Sequence, residues 1–186
     1  MMMMLLLALQ MPLVAGDGPP PDDVGQAPEM LPTPYTLAQM RAGWAPGVAL
    51  AFRIESAGKP TVVQRWEVVA HPDPDTAETA FTTFAEDGTT VVSERVVRPA
   101  RLDDLRRHAE FPAPHTTVES VQLDTPMGKL DGWRYTVKNP DNAAEQTVFE
   151  FAASLPGPPV RMVKTVDGTA VHTMRMTERT GPAAAK

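Results

Sequence analysis

From Val48 onward the chain alternates. VALAFRIE (48–55) and TVVQRWEVVA (61–70) bring Leu, Phe, Ile, Val and Trp to every second position, and Ala57-Gly58-Lys59-Pro60 between them is turn chemistry. A period of two sends successive side chains to opposite faces of a strand, so a chain written this way is confined to sheets with one packed face. The pattern recurs in TTVVSERVVR (89–98), TTVESVQLD (116–124), KLDGWRYTVK (129–138) and EQTVFEFAAS (145–154). Turn signals separate these runs: Asp87-Gly88, Thr125-Pro126-Met127-Gly128 and Asn139-Pro140-Asp141-Asn142. In 129–138, Trp133, Tyr135 and Val137 share one face while Arg134, Thr136 and Lys138 share the other.

Two stretches break the period. Thr36 to Gly43 reads as a short helix, with Thr36 capping the first turn and Gly43 just past its end. Residues 99–110 place Leu102, Leu105 and Ala109 on one side among charges and close at Phe111-Pro112, as a surface helix does. PDTAETAFTTFAEDG (74–88) fits either period. Asp75 with Glu78 forms a D-x-x-E capping box, but its four threonines and two phenylalanines suit a pleated surface, which favours a strand over 76–86 paired with 89–98.

The terminal VRMVKTV-DG-TAVHTMRMTE reads as a hairpin. A three-residue loop, Val166-Asp167-Gly168, pairs Val160 with Met174, Met162 with His172 and Val163 with Val171, and puts Val160, Met162, His172, Met174 and Met176 on one buried face. Leu155-Pro156-Gly157-Pro158-Pro159-Val160 lies between two strands, where prolines end a ladder; it reads as punctuation and not as a recognition segment. Together these elements predict an α+β, mainly antiparallel β domain over 35–180. The expected form is a curved sheet or half-barrel of about eight strands, with two short helices and the second against its concave face or open end.

The ends have another character. MMMMLLLALQMPLVAG is apolar and uncharged, too short to span a bilayer core of about 20 residues, and long enough for the apolar region of a secretory signal. Residues 1–16 are therefore expected to be a signal peptide, and the chain periplasmic or secreted, although no Lys or Arg precedes Arg41. Residues 17–34 hold six prolines, two glycines and four acids, the composition of an extended solvated linker, and 181–186 read as a flexible tail. No further apolar run is long enough to cross a membrane.

Composition removes several functions. Zero cysteines exclude disulfides, thiol catalysis, thiolate metal sites and a lipidated cysteine. A net charge of −6, with Arg106-Arg107 the only adjacent basic pair, argues against a nucleic-acid surface. His71-Pro72-Asp73-Pro74-Asp75 lacks the glycine and distal acid of a calcium loop and reads as a solvated turn. His108, His115 and His172 fall in three different elements without ligand spacing, and Met162, Met174 and Met176 around His172 fit a core face better than a soft-metal site. No serine sits in a nucleophile elbow, and no glycine cluster opens a helix to hold phosphate. No metal or cofactor is expected.

Leu102 to Pro112 (LDDLRRHAEFP), the Thr125–Gly128 turn, Trp133-Arg134-Tyr135 and FEFAASLPGPPV from Phe149 to Val160 together resemble a family of small exported bacterial proteins without assigned activity, over the C-terminal half. That resemblance implies no active site. Architecture alone suggests an analogy to half-barrel carriers of lipids or lipoproteins. The expected function is a non-enzymatic envelope protein that binds an apolar molecule, a lipid or another envelope protein through one face of its sheet. Phe52, Trp66, Trp133, Tyr135, Phe149, Met162 and Met174 are the candidate binding residues, because they offer more apolar surface than two short helices cover. The alternatives are a hydrolase-like enzyme with an unrecognised carboxylate or histidine site, and a purely structural module.

Overall fold

The computed structural model describes residues 29–182, so the segments read as signal peptide and most of the linker, and the last four residues, lie outside the described residues. Nine antiparallel strands form one open, curved sheet: β1 (Ala49–Ser56), β2 (Val62–Asp73), β3 (Thr76–Ala85), β4 (Val91–Arg101), β5 (Thr116–Thr125), β6 (Gly128–Asn139), β7 (Asn142–Ala152), β8 (Arg161–Val166) and β9 (Thr169–Thr180). Two short helices accompany it, α1 (Leu37–Gly43) and α2 (Leu102–Arg107). The strand order β4-β3-β2-β1-β9-β8-β7-β6-β5 describes two meanders joined through β1 and β9. Each consecutive pair is antiparallel, so most connections are tight turns; β7 to β8 is joined by residues 153–160, and β4 to β5 runs from one edge of the sheet to the other, with α2 within it.

The strand at 76–86 forms as its threonines and phenylalanines favour. β3 pairs with β2 and β4 along its length, and the Asp75–Glu78 capping box does not form. Thr36 does cap α1: its Oγ1 accepts from Gln39 N at 3.2 Å, and Thr36 N donates to Gln39 Oε1 at 2.8 Å. Gly43 departs from expectation. It is the last helical residue and Trp44 is the C-cap. Glycine is required there by proximity, since a Cβ would stand 2.3 Å from the Pro156 carbonyl oxygen.

That contact also fixes where the Leu155–Val160 segment packs. Pro156, Gly157 and Val160 are buried, and Gly157, at φ +148, lies so close to Trp44 that a Cβ would be 3.0 Å from its ring. The segment ends β7, packs on α1 and returns the chain into β8.

The terminal hairpin corrects the register expected from sequence. Val166 pairs with Thr169 across a two-residue turn, with Asp167 at φ 50 and Gly168 at φ 74, the signature of a tight hairpin turn. The extra residue sits two positions further on, as a bulge at Val171, so Met162 faces Met174 and Lys164 faces His172. The Val171 carbonyl accepts a hydrogen bond from Ala57 N at 2.9 Å on the β1 side, which ties the bulged residue to the β1–β2 turn. Val163 meets Thr173 and not Val171, while Met162, His172, Met174 and Met176 share one face as expected.

The core lies between this face and the helices. Trp44, Val48, Leu50, Phe52, Val68, Ala77, Leu102, Val160 and Met176 are buried within one cluster; Tyr35, Met40, Ala109, Phe111, Tyr135 and Phe151 are buried within a second. Residues 29–34, the end of the segment read as linker, are held to the body. Met30 bridges Pro112, and Leu31 N donates to Phe111 O at 2.9 Å.

Candidate functional site

Register brings the seven residues picked from sequence to one face, the inner face. Met174, Met162, Phe149 and Tyr135 are cross-strand partners in succession, in a row that runs Val62, Ile54, Met174, Met162, Phe149, Tyr135, Val118 over seven strands. Phe52 precedes Ile54 on that face of β1, Trp66 lies opposite Leu50, and Trp133 lies opposite Phe151. They differ in access. Phe52 is fully buried beneath Trp66, with ring centroids 4.7 Å apart, and Trp66 in turn meets Trp44 and Phe81 at 6.3 and 5.5 Å. Tyr135 is buried, and Phe111 covers both it and Phe149, at 5.4 and 4.8 Å. Tyr35 closes on Trp133 and Phe151 edge to face.

What remains is a strip. Val62, Ile54, Met174 and Met162 are half-buried, and the next row outward on the same face is polar: Ser56, His172, Lys164 and Thr147. His172 Nδ1 shares a 2.8 Å hydrogen bond with Ser56 Oγ, and Lys164 Nζ lies 2.8 Å from Glu145 Oε1. Burial, then Lys59 and Lys164, hold the His172 imidazole below its ordinary range. Both effects favour the neutral imidazole, a hydrogen-bonding group on the rim of the strip.

Clefts of about 330, 360 and 510 Å³ among the described residues lie over Ala49 and Ala51 on the opposite face, beside Trp133 and Ala153 near the β5 edge, and between residues 32–39 and α2. Of the seven residues, only Trp133 lines any of these clefts. Among the described residues no three His, Asp or Glu side chains gather to hold a metal. His71, in the stretch read as a solvated turn, belongs to the end of β2, and its Nε2 donates to the Trp44 carbonyl at 2.8 Å. Burial raises the Tyr35 phenol, which donates to Ala152 O at 2.8 Å and serves the core.

The opposite, outer face holds what the sequence reading missed. Glu119, Arg134, Glu150, Arg161, Arg175 and Arg53 stand in register on β5, β6, β7, β8, β9 and β1. Glu150, with a side chain only 9 % exposed, takes Arg134 Nε and Nη2 at 3.0 and 2.9 Å and Arg161 Nη1 at 3.6 Å. The signal was present in FRI, VRM and MRM, an arginine between two apolar residues in each of three strands. Alternation assigns those arginines to the outer face, but only the register aligns them.

No protein-family model matches the chain, and no curated protein matches it by sequence. Solved structures match in fold. A crystal structure of MucB is 14% identical, with a TM-score of 0.52 over 80% of this chain and 58% of that one. MucB in complex with MucA(peri) gives 0.55 at 14% identity over 80% and 55%, and the Pseudomonas aeruginosa MucA/MucB complex gives 0.51 at 14% over 80% and 56%. The likeness is one of fold, and the chain spans somewhat more than half the length of each of these proteins.

Proposed function

We propose that this chain is a non-catalytic binding module of the bacterial cell envelope and that its ligand is another envelope protein. One observation carries the reading: the fold is that of MucB, and MucB is found in complex with MucA(peri). The filled inner face supports it, because Phe52, Phe111, Phe151 and Met176 occupy the space a carrier of small molecules would leave open. The apolar amino-terminal run supports export. No described helix is long and apolar enough to cross a membrane.

A second reading rests on the strip itself. Four half-buried apolar side chains in a row, bounded by Ser56, His172 and Lys164, suit an acyl chain lying across the strands, and each CH₂ buried there contributes about 0.8 kcal/mol.

The test is purification of the tagged protein from its own envelope after mild crosslinking, followed by native mass spectrometry and lipid extraction. A single protein partner at fixed stoichiometry, reconstituted from the two purified chains, is the expected result. A protein that arrives with lipid and no partner transfers the function to the strip. One that arrives with neither leaves a structural module.

A further inference from the structure

The outer-face row is a charge ladder with one rung of the wrong sign. From β5 to β8 the signs alternate, Glu119, Arg134, Glu150, Arg161, and the ion pairs follow, Arg134 to Glu119 at 3.8 Å, to Glu150 at 2.9 Å, and Arg161 to Glu150 at 3.6 Å. At β9 the alternation stops. Arg175 stands directly opposite Arg161 on one side and Arg53 on the other, where a carboxylate would continue the series. Like charges in directly opposed positions disfavour an antiparallel pair.

The three guanidiniums are unequally served. Arg53 has Glu55 at 2.8 Å and Glu86 at 2.5 Å. Arg161 competes with Arg134 for Glu150, and its Nε is buried without a hydrogen-bond partner among the described residues. Arg175 is exposed and makes no ion pair or hydrogen bond among the described residues. A desolvated N–H without an acceptor is costly, and a chain of net charge −6 has carboxylates enough to have placed one here.

We infer that the Arg161–Arg175–Arg53 step is a docking point for a carboxylate side chain on an acidic, extended segment of the partner protein. The inference rests on the partner-binding reading above and gives that partner a chemistry. A guanidinium fork takes a carboxylate through two parallel hydrogen bonds, and a single carboxylate over Arg175 restores the alternation that β5 to β8 already show. The surroundings set the charge. Glu55 and Glu178 flank the step on the same face, so it accepts one negative charge and repels a dianion such as phosphate.

Arg175→Glu tests this in two independent ways, with wild type and variant compared in full length. Built into the ladder, the glutamate faces Arg161 and Arg53, so the urea midpoint of unfolding is expected to rise; a fall overturns the ladder argument whatever the partner is. Binding is read with a labelled peptide of alternating Glu and Thr, against a Gln–Thr control. The acidic peptide is expected to bind the wild type at low salt and to weaken by roughly tenfold or more on Arg175→Glu, while the control binds neither. Equal affinity for wild type and variant overturns the docking point, and so does displacement of the peptide by inorganic phosphate at comparable concentration, which marks a small-anion site. If the native partner binds both proteins equally, the envelope-module reading stands and this docking point alone falls.

Discussion

Phe111 is the side chain that decides how much of the inner face is closed. It enters from the chain between α2 and β5, is buried, stacks on Phe149 with centroids 4.8 Å apart and an interplanar angle of 27°, and meets Tyr135 at 5.4 Å. Phe111→Ala removes one full ring from that contact. Buried Phe→Ala changes cost roughly 3–5 kcal/mol, and a site at the open margin of a core belongs at the lower end, about 3 kcal/mol. For a domain of this size each kcal/mol lowers the melting temperature by about 2–4 °C, so a fall of ~6–12 °C is expected by calorimetry. The same change joins Phe149 to the half-buried Met162, Met174 and Ile54, making one continuous apolar groove. The dye 8-anilinonaphthalene-1-sulfonate should therefore bind the folded variant, well below its melting point, more strongly than the wild type. Val92→Ala, at a side chain 61 % exposed on the β4 edge, is the control and should change stability by no more than about 0.5 kcal/mol. A melting temperature within about 2 °C of wild type, or no gain in dye binding, would mean that Phe111 is not the seal and that the inner face is closed by something else.

Two further perturbations read other parts of the fold. Gly43→Ala gains about 1 kcal/mol of helix preference but drives a Cβ to 2.3 Å from a backbone oxygen, and overpacking of that kind costs roughly 1–3 kcal/mol, so a net loss in the urea midpoint is expected and a gain would refute the close approach of Pro156. His172, its pKa lowered by burial and by Lys59 and Lys164, binds a proton less readily folded than unfolded. Its contribution to stability is present above the unfolded-state pKa, near 6.5, and is lost as pH falls below it, so His172→Gln should flatten the loss of stability between about pH 7 and pH 5; an unchanged profile in urea titrations refutes this.

Much of the fold was legible because alternation and turn chemistry are local. Thr36 and Gln39 satisfy each other within one helical turn, and the glycine expected to be left-handed at 168 is, at φ 74, although the turn around it has two residues and not three. At 76–85 two local signals disagreed, and tertiary pairing decided: a strand there is bonded on both sides, by β2 and by β4, which a lone capping box cannot match. What failed was register and close approach. The Val171 bulge shifts every partner beyond it, and its carbonyl bonds to Ala57 N, more than a hundred residues away in the chain, a contact that no local pattern signals. Gly43 carried the right residue for the wrong reason, because a glycine at the end of a helix signals a cap and only the folded chain shows Pro156 against it.

The same distinction separates the two faces as sites. Inner-face candidates could be named one by one, since an aromatic or methionine at an alternating position is apolar wherever its neighbours lie. How many of them are open to a ligand depends on Phe111, Tyr35 and Trp44, three side chains from outside the sheet, which cover parts of Trp66, Trp133 and Phe149 and leave the Val62–Met162 strip half-covered. The outer-face step is invisible to that kind of reading. Arg53, Arg161 and Arg175 are each an ordinary outward-facing arginine, and the anomaly exists only once β8, β9 and β1 are laid side by side. A buried apolar side chain is explained by folding alone. A row of three like charges in register, one of them with a desolvated N–H lacking an acceptor among the described residues, works against folding, and so it is the stronger pointer to something the folded protein meets.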